Sequence, residues 1–436
     1  MCPATYTADL RWKFPSTTRA AHHRDSVRPA AARLGRRPRP RGEETASRAC
    51  CASVDGSVLS MDVDRQIFDS LPDGRILRHA IEERLCIGGV PAGEAIKVLI
   101  SSAAAEANLN DVGWFELGNL SLHGLRVQRA FEPTAGSSLE ASPAVFADVI
   151  VGGLPRTGTT LLHELLNGCQ DLCAPLSWQV QFPIADEVTD GARAAAIQSS
   201  TDRYDAAKEL MPRLAQMHPL EPLGTEECTH LLQHSLVSMQ MLMMFRMPSY
   251  FDWFYCQDLG PPYRLWDRQL NTIRRESPCS LVLKSPLHFA GYQSLLTSHP
   301  PRLLIHIRRS LRQAIDSLLQ MVEVLRGLFS KNVPDRAAMV GEWTIYLEAL
   351  LDRATRVLRS NPVRLVLVDY DDLVHRPNLV LTDICARLDI ETPSPLWINS
   401  VTSGLHDKHA YEHRSFGVLL DPLMERLGKF EHGEFA

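Results

Sequence analysis

No stretch of this 436-residue sequence is apolar for long enough to cross a bilayer. The most apolar one, SLVSMQMLMMFRMPSYF, is broken by Arg246 and Pro248. Residues 1–30 have no continuous apolar segment either, so no secretory signal is expected. The ten cysteines form no Cys-x-x-Cys pair and have no metal-ligand spacing. They read as reduced thiols, which predicts a cytoplasmic protein and no metal. Aromatic residues do not interleave the arginines of RRPRPRG, which argues against a nucleic-acid partner. With 45% hydrophobic and 22% charged residues, what remains is ordinary globular composition, long enough for more than one domain.

Charge is unevenly spread. Residues 1–48 carry eleven Lys and Arg against four Asp and Glu, a net +7 that leaves −12 for the remainder. Such an Arg-, Ala- and Pro-rich segment buries too little apolar surface to offset the entropy of ordering. Residues 1–60 are therefore expected to be a disordered basic tail, solvated or a translated upstream extension, with Met61 as a natural start.

From 61 to about 131 the spacing is helical, as in DGRILRHAIEERL and AGEAIKVLISSAAAEANL. A Gly/Ser/Pro linker covers 132–143, so 61–140 reads as an N-terminal helical region and linker. Within 145–430, strands are predicted in VFADVIVGG, SLVLKSP, PRLLIHIRR and VRLVLVDY, with helices between them. Alternation of this kind predicts an α/β domain with a P-loop-type parallel sheet flanked by helices.

The chemistry begins at VIVGGLPRTGTTLLHELL, Val149 to Leu166. A strand, a Gly-containing loop and a helix make an anion cradle from backbone N–H groups and a helix N-terminus. A nucleotide P-loop would add a lysine after its last glycine, and here that residue is Thr159. Arg156 sits inside the loop instead, with a guanidinium fork able to hold two anionic oxygens. The loop thus suits a terminal anion of lower charge that needs no metal, such as a phosphosulfate.

LPRTGTTLLHELL resembles the 5′-phosphosulfate loop of PAPS-dependent sulfotransferases, closest to the bacterial group reading Pro-Arg-Ser/Thr-Gly-Thr-Thr. LVLKSPLH is similar to that group's Leu-Lys-Ser/Thr-Pro-x-His, and HIRRSLRQAIDSL to its 3′-phosphate segment. LVDYDDLVHRP and HAYEHRSFGV match two further segments, in the family's order, across roughly residues 95 to 425. The resemblance implies PAPS (3′-phosphoadenosine 5′-phosphosulfate) as co-substrate, bound by Pro155, Arg156, Thr157, Gly158, Thr159 and Thr160 at one end. Arg309 and Ser317 would hold its 3′-phosphate. Lys284, His288 and Arg156 are then the catalytic candidates, Lys284 by neutralising the leaving oxygen. A small-molecule, lipid or glycan hydroxyl (or amine) is the implied acceptor; oligomeric state is left open.

Two positions depart from the family pattern: Pro286, where relatives commonly keep a histidine base, and Gln179, where they keep a glutamate. His288 is the first substitute base, followed by His218 and Glu226 in HPLEPLGTEEC, which also holds Glu221 and Glu227. Two alternatives stay open, a P-loop kinase with Asp369 of LVLVD on Mg²⁺ and a catalytically impaired PAP(S)-binding protein. The methionines at 239, 241, 243, 244 and 247 read as core packing rather than an acceptor pocket.

Overall fold

A computed structural model describes residues 86–87, 90–133, 148–185, 188–210, 212–213, 220–277, 279–403 and 415–430. The chain divides between Ser60 and Met61, and every described residue belongs to the second unit. The expected basic tail, the helix expected in DGRILRHAIEERL, and His218 lie outside the described residues.

Strands β1 (Cys86–Ile87) and β2 (Val90–Pro91) form a minimal antiparallel pair. The helices that frame the site are α1 (Ala92–Ser102), α2 (Asp111–Ala130), α3 (Thr159–Leu166), α4 (Ser177–Gln181), α5 (Asp190–Leu210), α6 (Thr229–Gln233), α7 (Gly260–Glu276), α8 (Leu311–Phe329) and α9 (Tyr370–His375). The main sheet has five parallel strands: β3 (Val149–Gly153), β4 (Leu172–Cys173), β5 (Ser280–Lys284), β6 (Leu303–Arg308) and β7 (Leu365–Asp369). Their order is β4-β5-β3-β6-β7, so β3 lies in the middle between β5 and β6.

Successive strand residues face opposite sides. Ile150, Leu281, Leu283 and Leu304 enter one core, with Leu242, Trp266 and Phe329. Val149, Val151, Val282, Ile305 and Val368 enter the other, against Leu162 and Leu166 of α3. Burial on both faces is why these strands read as continuous apolar runs. The N-terminal helices share the first core through Ile96, Leu99 and Leu117. Met239, Met241, Met243 and Met247 are buried in it too, as core packing requires.

One expectation about cysteine fails. Cys173, closing β4, and Cys279, just before β5, are paired as a disulfide with Cα atoms 5.8 Å apart. Adjacent strand ends bring together residues separated by 106 positions, within the Cα range a disulfide spans. Cys169, Cys228, Cys256 and Cys385 are free thiols. No described helix is long and apolar enough to cross a membrane.

Candidate active site

The site lies at the C-terminal ends of the parallel strands, where open α/β sheets bind ligands. β3 ends in Gly153 with φ +141°; a Cβ there would lie 2.8 Å from Thr157 Oγ1 and 2.9 Å from the Ile307 carbonyl. The loop is held from inside: Thr157 Oγ1 donates to the Leu154 carbonyl at 2.8 Å. Pro155, Thr157 and Thr159 are buried, so they offer backbone rather than side chains to a ligand, whereas Arg156 and Thr160 are half-buried. Arg156 has a left-handed φ of +69°. Side chains rarely adopt that conformation, and such strain clusters at ligand clamps. Gly158 (φ +94°) starts α3, and no side chain caps the helix. Its first-turn N–H groups therefore point at the loop's concavity, an electropositive seat for an oxyanion.

The second group sits where β6 meets α8. Arg309 Nη1 donates to the Arg156 carbonyl at 2.9 Å, and its guanidinium stacks 4.2 Å from the centre of the Tyr370 ring. Arg156 Nε in turn donates to Ser317 Oγ at 2.9 Å. Thus Arg156, Arg309 and Ser317, named from separate motifs, form one cationic corner. Arg308 is committed elsewhere, paired with Asp369 at 3.0 Å. That pairing takes up the carboxylate that the kinase reading assigns to Mg²⁺. Among the described residues, no cluster of three or more His, Cys, Asp or Glu side chains could hold a metal ion.

Lys284 closes β5 and is buried. Its Nζ donates to Glu227 Oε1 at 2.8 Å and to Thr160 Oγ1 at 3.3 Å. A buried ammonium is costly unless paired, and Glu227 supplies the counter-charge while keeping 19% of its side chain exposed. The segment carrying Glu227 is strapped down on both sides. Glu226 N–H donates to the Pro175 carbonyl, and Cys228 N–H to the Lys284 carbonyl. Thr225 Oγ1 donates to Glu164 Oε2 at 2.6 Å.

His288 goes elsewhere. After Lys284 the chain makes a turn and a 3₁₀ segment, His288–Gly291, rather than an α-helix from Ser285. The ring is therefore not carried one α-turn from Lys284. It is fully buried, with Nε2 3.2 Å from Cys228 Sγ and Nδ1 2.9 Å from Tyr263 Oη. Burial lowers its pKa to about 3, and the nearby His299 adds to this. This is the geometry of a core histidine, and it gives the ring no open nitrogen for an acceptor. Glu226 is likewise sealed: Oε2 accepts from Tyr204 Oη at 2.8 Å and Oε1 from the Glu227 N–H at 2.7 Å. Gln179 Oε1 accepts from the Leu176 N–H at 2.8 Å, fastening the start of α4. Glu227 was named only as one acid of HPLEPLGTEEC and Tyr370 only within the matching segment LVDYDDLVHRP; neither was assigned to the site from sequence.

A family model described as "Sulfotransferase family" matches residues 148–394. Sulfotransferase STF9 from Mycobacterium avium superposes with a TM-score of 0.66 at 18% identity, over 87% of this chain and 97% of that one. Sulfotransferase STF1 from Mycobacterium tuberculosis H37Rv gives 0.61 at 20% identity, over 85% and 99%. At these identities the two structures establish a shared fold. No curated protein sequence matches the chain.

Proposed function

This chain belongs to the sulfotransferase family, and from that premise we propose that its sulfonyl donor is PAPS and its acceptor a hydroxyl or amine of a small molecule, lipid or glycan. The observation that carries the reading is the convergence of Lys284, Glu227 and Thr160 at the start of the loop helix. The cationic corner of Arg156, Arg309 and Ser317 supplies a second anion seat, as a donor charged at both ends needs. In the proposed reaction the acceptor oxygen attacks sulfur, and its O–S bond forms as the bridging S–O bond of PAPS breaks. The hydroxyl proton passes to the Glu227 carboxylate. PAP leaves with the added negative charge, which the Lys284 ammonium neutralises. Glu227 thereby supplies the carboxylate missing at Gln179, and His288 drops out as base.

Three measurements test this. PAP at a hundred times its Kd should stabilise the fold by about 2.7 kcal/mol, and ATP far less; equal shifts would sink the donor assignment. Arg309→Ala should weaken PAP by roughly 1.5–3 kcal/mol while sparing adenosine 5′-phosphosulfate, which has no 3′-phosphate. Glu227→Gln should lower kcat by about 10²–10⁴ with PAP affinity intact. Undiminished turnover of an aliphatic alcohol would remove Glu227 from the chemistry.

A further inference from the structure

Three helices meet at Glu226. Its carboxylate accepts from Tyr204 of α5, and its N–H donates to the Pro175 carbonyl just before α4. Ser177, the first residue of α4, donates to the Gly224 carbonyl at 3.2 Å. Thr229, the first residue of α6, follows three positions after Glu226. Within one helical turn of this knot, each helix carries a buried polar side chain with no hydrogen-bond partner. Gln181, four residues after Ser177, leaves both Oε1 and Nε2 unpaired. Ser200, four residues before Tyr204, leaves Oγ unpaired, and so does Thr229 its Oγ1. All three are more than nine-tenths buried: Gln181 is 6% exposed, Ser200 0% and Thr229 2%. A fourth unpaired donor, Asn119 Nδ2, comes from α2, one turn before His123. His123 Nε2 bonds the Gln181 backbone carbonyl at 2.7 Å.

Buried polar groups are normally satisfied, and each exception calls for an occupant or a role. α4 packs against both α5 and α6, α2 is joined to α4 by the His123–Gln181 bond and to α5 by the Arg203–Glu116 pair, and α6 begins two residues after Glu227; unpaired groups shared among such neighbours amount to a set of hydrogen bonds waiting for a ligand. The charged neighbours are already paired: Arg203 with Glu116 at 2.8 Å, and Glu226 with Tyr204. The unpaired groups are therefore neutral, and hydroxyls and an amide together offer both donors and acceptors. A matching ligand is uncharged and presents several groups that both donate and accept. Neighbouring hydroxyls do this; an alkyl chain or a simple phenol does not. Of the 21 residues of α5 only Ala196, Ser199, Ser200 and Tyr204 are buried, so little apolar contact holds it down.

Building on the sulfotransferase reading above, we propose that Gln181, Ser200, Thr229 and Asn119 form the acceptor subsite. It takes a multiply hydroxylated, sugar-like portion of the acceptor, and α5 is the lid that admits it. The experiment compares octyl β-glucoside, 1-octanol and 2-naphthol as acceptors for the full-length protein with ³⁵S-labelled PAPS. The glucoside is expected to have the highest kcat/KM. A site built to hydrogen-bond its substrate rejects analogues lacking those groups by large factors, so at least a hundredfold preference over octanol is expected. Gln181→Leu and Thr229→Val should each raise KM for the glucoside about tenfold. Each should also raise the melting temperature of the ligand-free protein, since an apolar side chain there leaves nothing unpaired. The PAP-induced thermal shift should persist in both. Stabilised variants with unchanged glucoside kinetics would reduce the cluster to a packing defect and overturn the proposal, as would a wild-type preference for octanol or naphthol. Should PAP give no thermal shift, the donor reading fails by itself, and calorimetric binding of octyl β-glucoside then decides. Binding that both variants weaken upholds the subsite, and absence of binding by the wild type overturns it.

Discussion

Acid should unfold this protein at a mild pH, because several histidines are buried in the neutral form. Burial lowers His163 and His288 to about 3, and His123 and His306 to about 4, from an ordinary value near 6.5. The charge of Lys284 adds to the effect at His163, and that of Arg308 at His306. A histidine with a depressed folded pKa contributes stability that is complete above 6.5 and falls as the pH drops toward the folded value, because the unfolded chain takes up the proton first. At pH 5 an unfolded histidine is almost fully protonated and these four are not. Each therefore costs roughly 2 kcal/mol, and together they remove about 8 kcal/mol. That is comparable with the whole stability of a typical domain, about 5–15 kcal/mol. Urea unfolding followed by tryptophan fluorescence, from pH 8 down to 5, reads the slope directly. Near pH 5 it should approach about 5 kcal/mol per pH unit, close to four protons. His306→Gln should remove about a quarter of it, as one of four such rings. A slope below one proton, or a His306→Gln slope equal to that of the wild type, would refute the reasoning.

Two substitutions probe the frame of the site. Gly158→Ala places a methyl 2.8 Å from Tyr370 Cδ2 at φ +94°. It should lower stability by roughly 1–2 kcal/mol and weaken PAP about tenfold by pushing Tyr370 away from Arg309, whereas a wild-type Kd would show that the stack is irrelevant to binding. The Cys173–Cys279 bond closes a loop of about a hundred residues, worth about 4–5 kcal/mol in the chain-entropy account. Reduction or Cys173→Ser should therefore lower the urea midpoint to the same value, and an unchanged midpoint in dithiothreitol would mean that the bond is not formed in solution.

The legible parts of this sequence were those governed by local pattern. Four apolar runs became β3, β5, β6 and β7; both faces of the first three are covered, and edge strand β7 buries Val366 and Val368 on one face. β4 escaped notice because two residues, Leu172 and Cys173, show no periodicity, and the disulfide they help to form depends on which strands are neighbours. Arg156, Arg309 and Ser317 were visible as motif positions, but their mutual hydrogen bonds follow from the sheet order. The surroundings of His288 were not legible from its spacing to Lys284, because the chain there makes a turn and a 3₁₀ segment that carries the ring into the core. Glu226 and Glu227 are adjacent and chemically identical, and their side chains go opposite ways, one to Tyr204 and one to Lys284. No rule of spacing covers an irregular strap held by backbone bonds to 175 and 284.

The bond from Arg156 to Ser317, with Arg309 anchored on the carbonyl of Arg156, has a consequence for how this protein can change. Position 156 is far along the chain from 309 and 317, yet the three are bonded into one unit and should change together. A loop grafted from a relative with a different residue at 156 would arrive without its companion hydroxyl and would leave Ser317 facing a stranger. Drift at 317 would likewise be felt first in the loop, before it reached any ligand. Engineers exchanging donor loops among such enzymes would need to move all three positions together, and combinatorial libraries that vary them independently should be depleted of functional members at every mismatched combination.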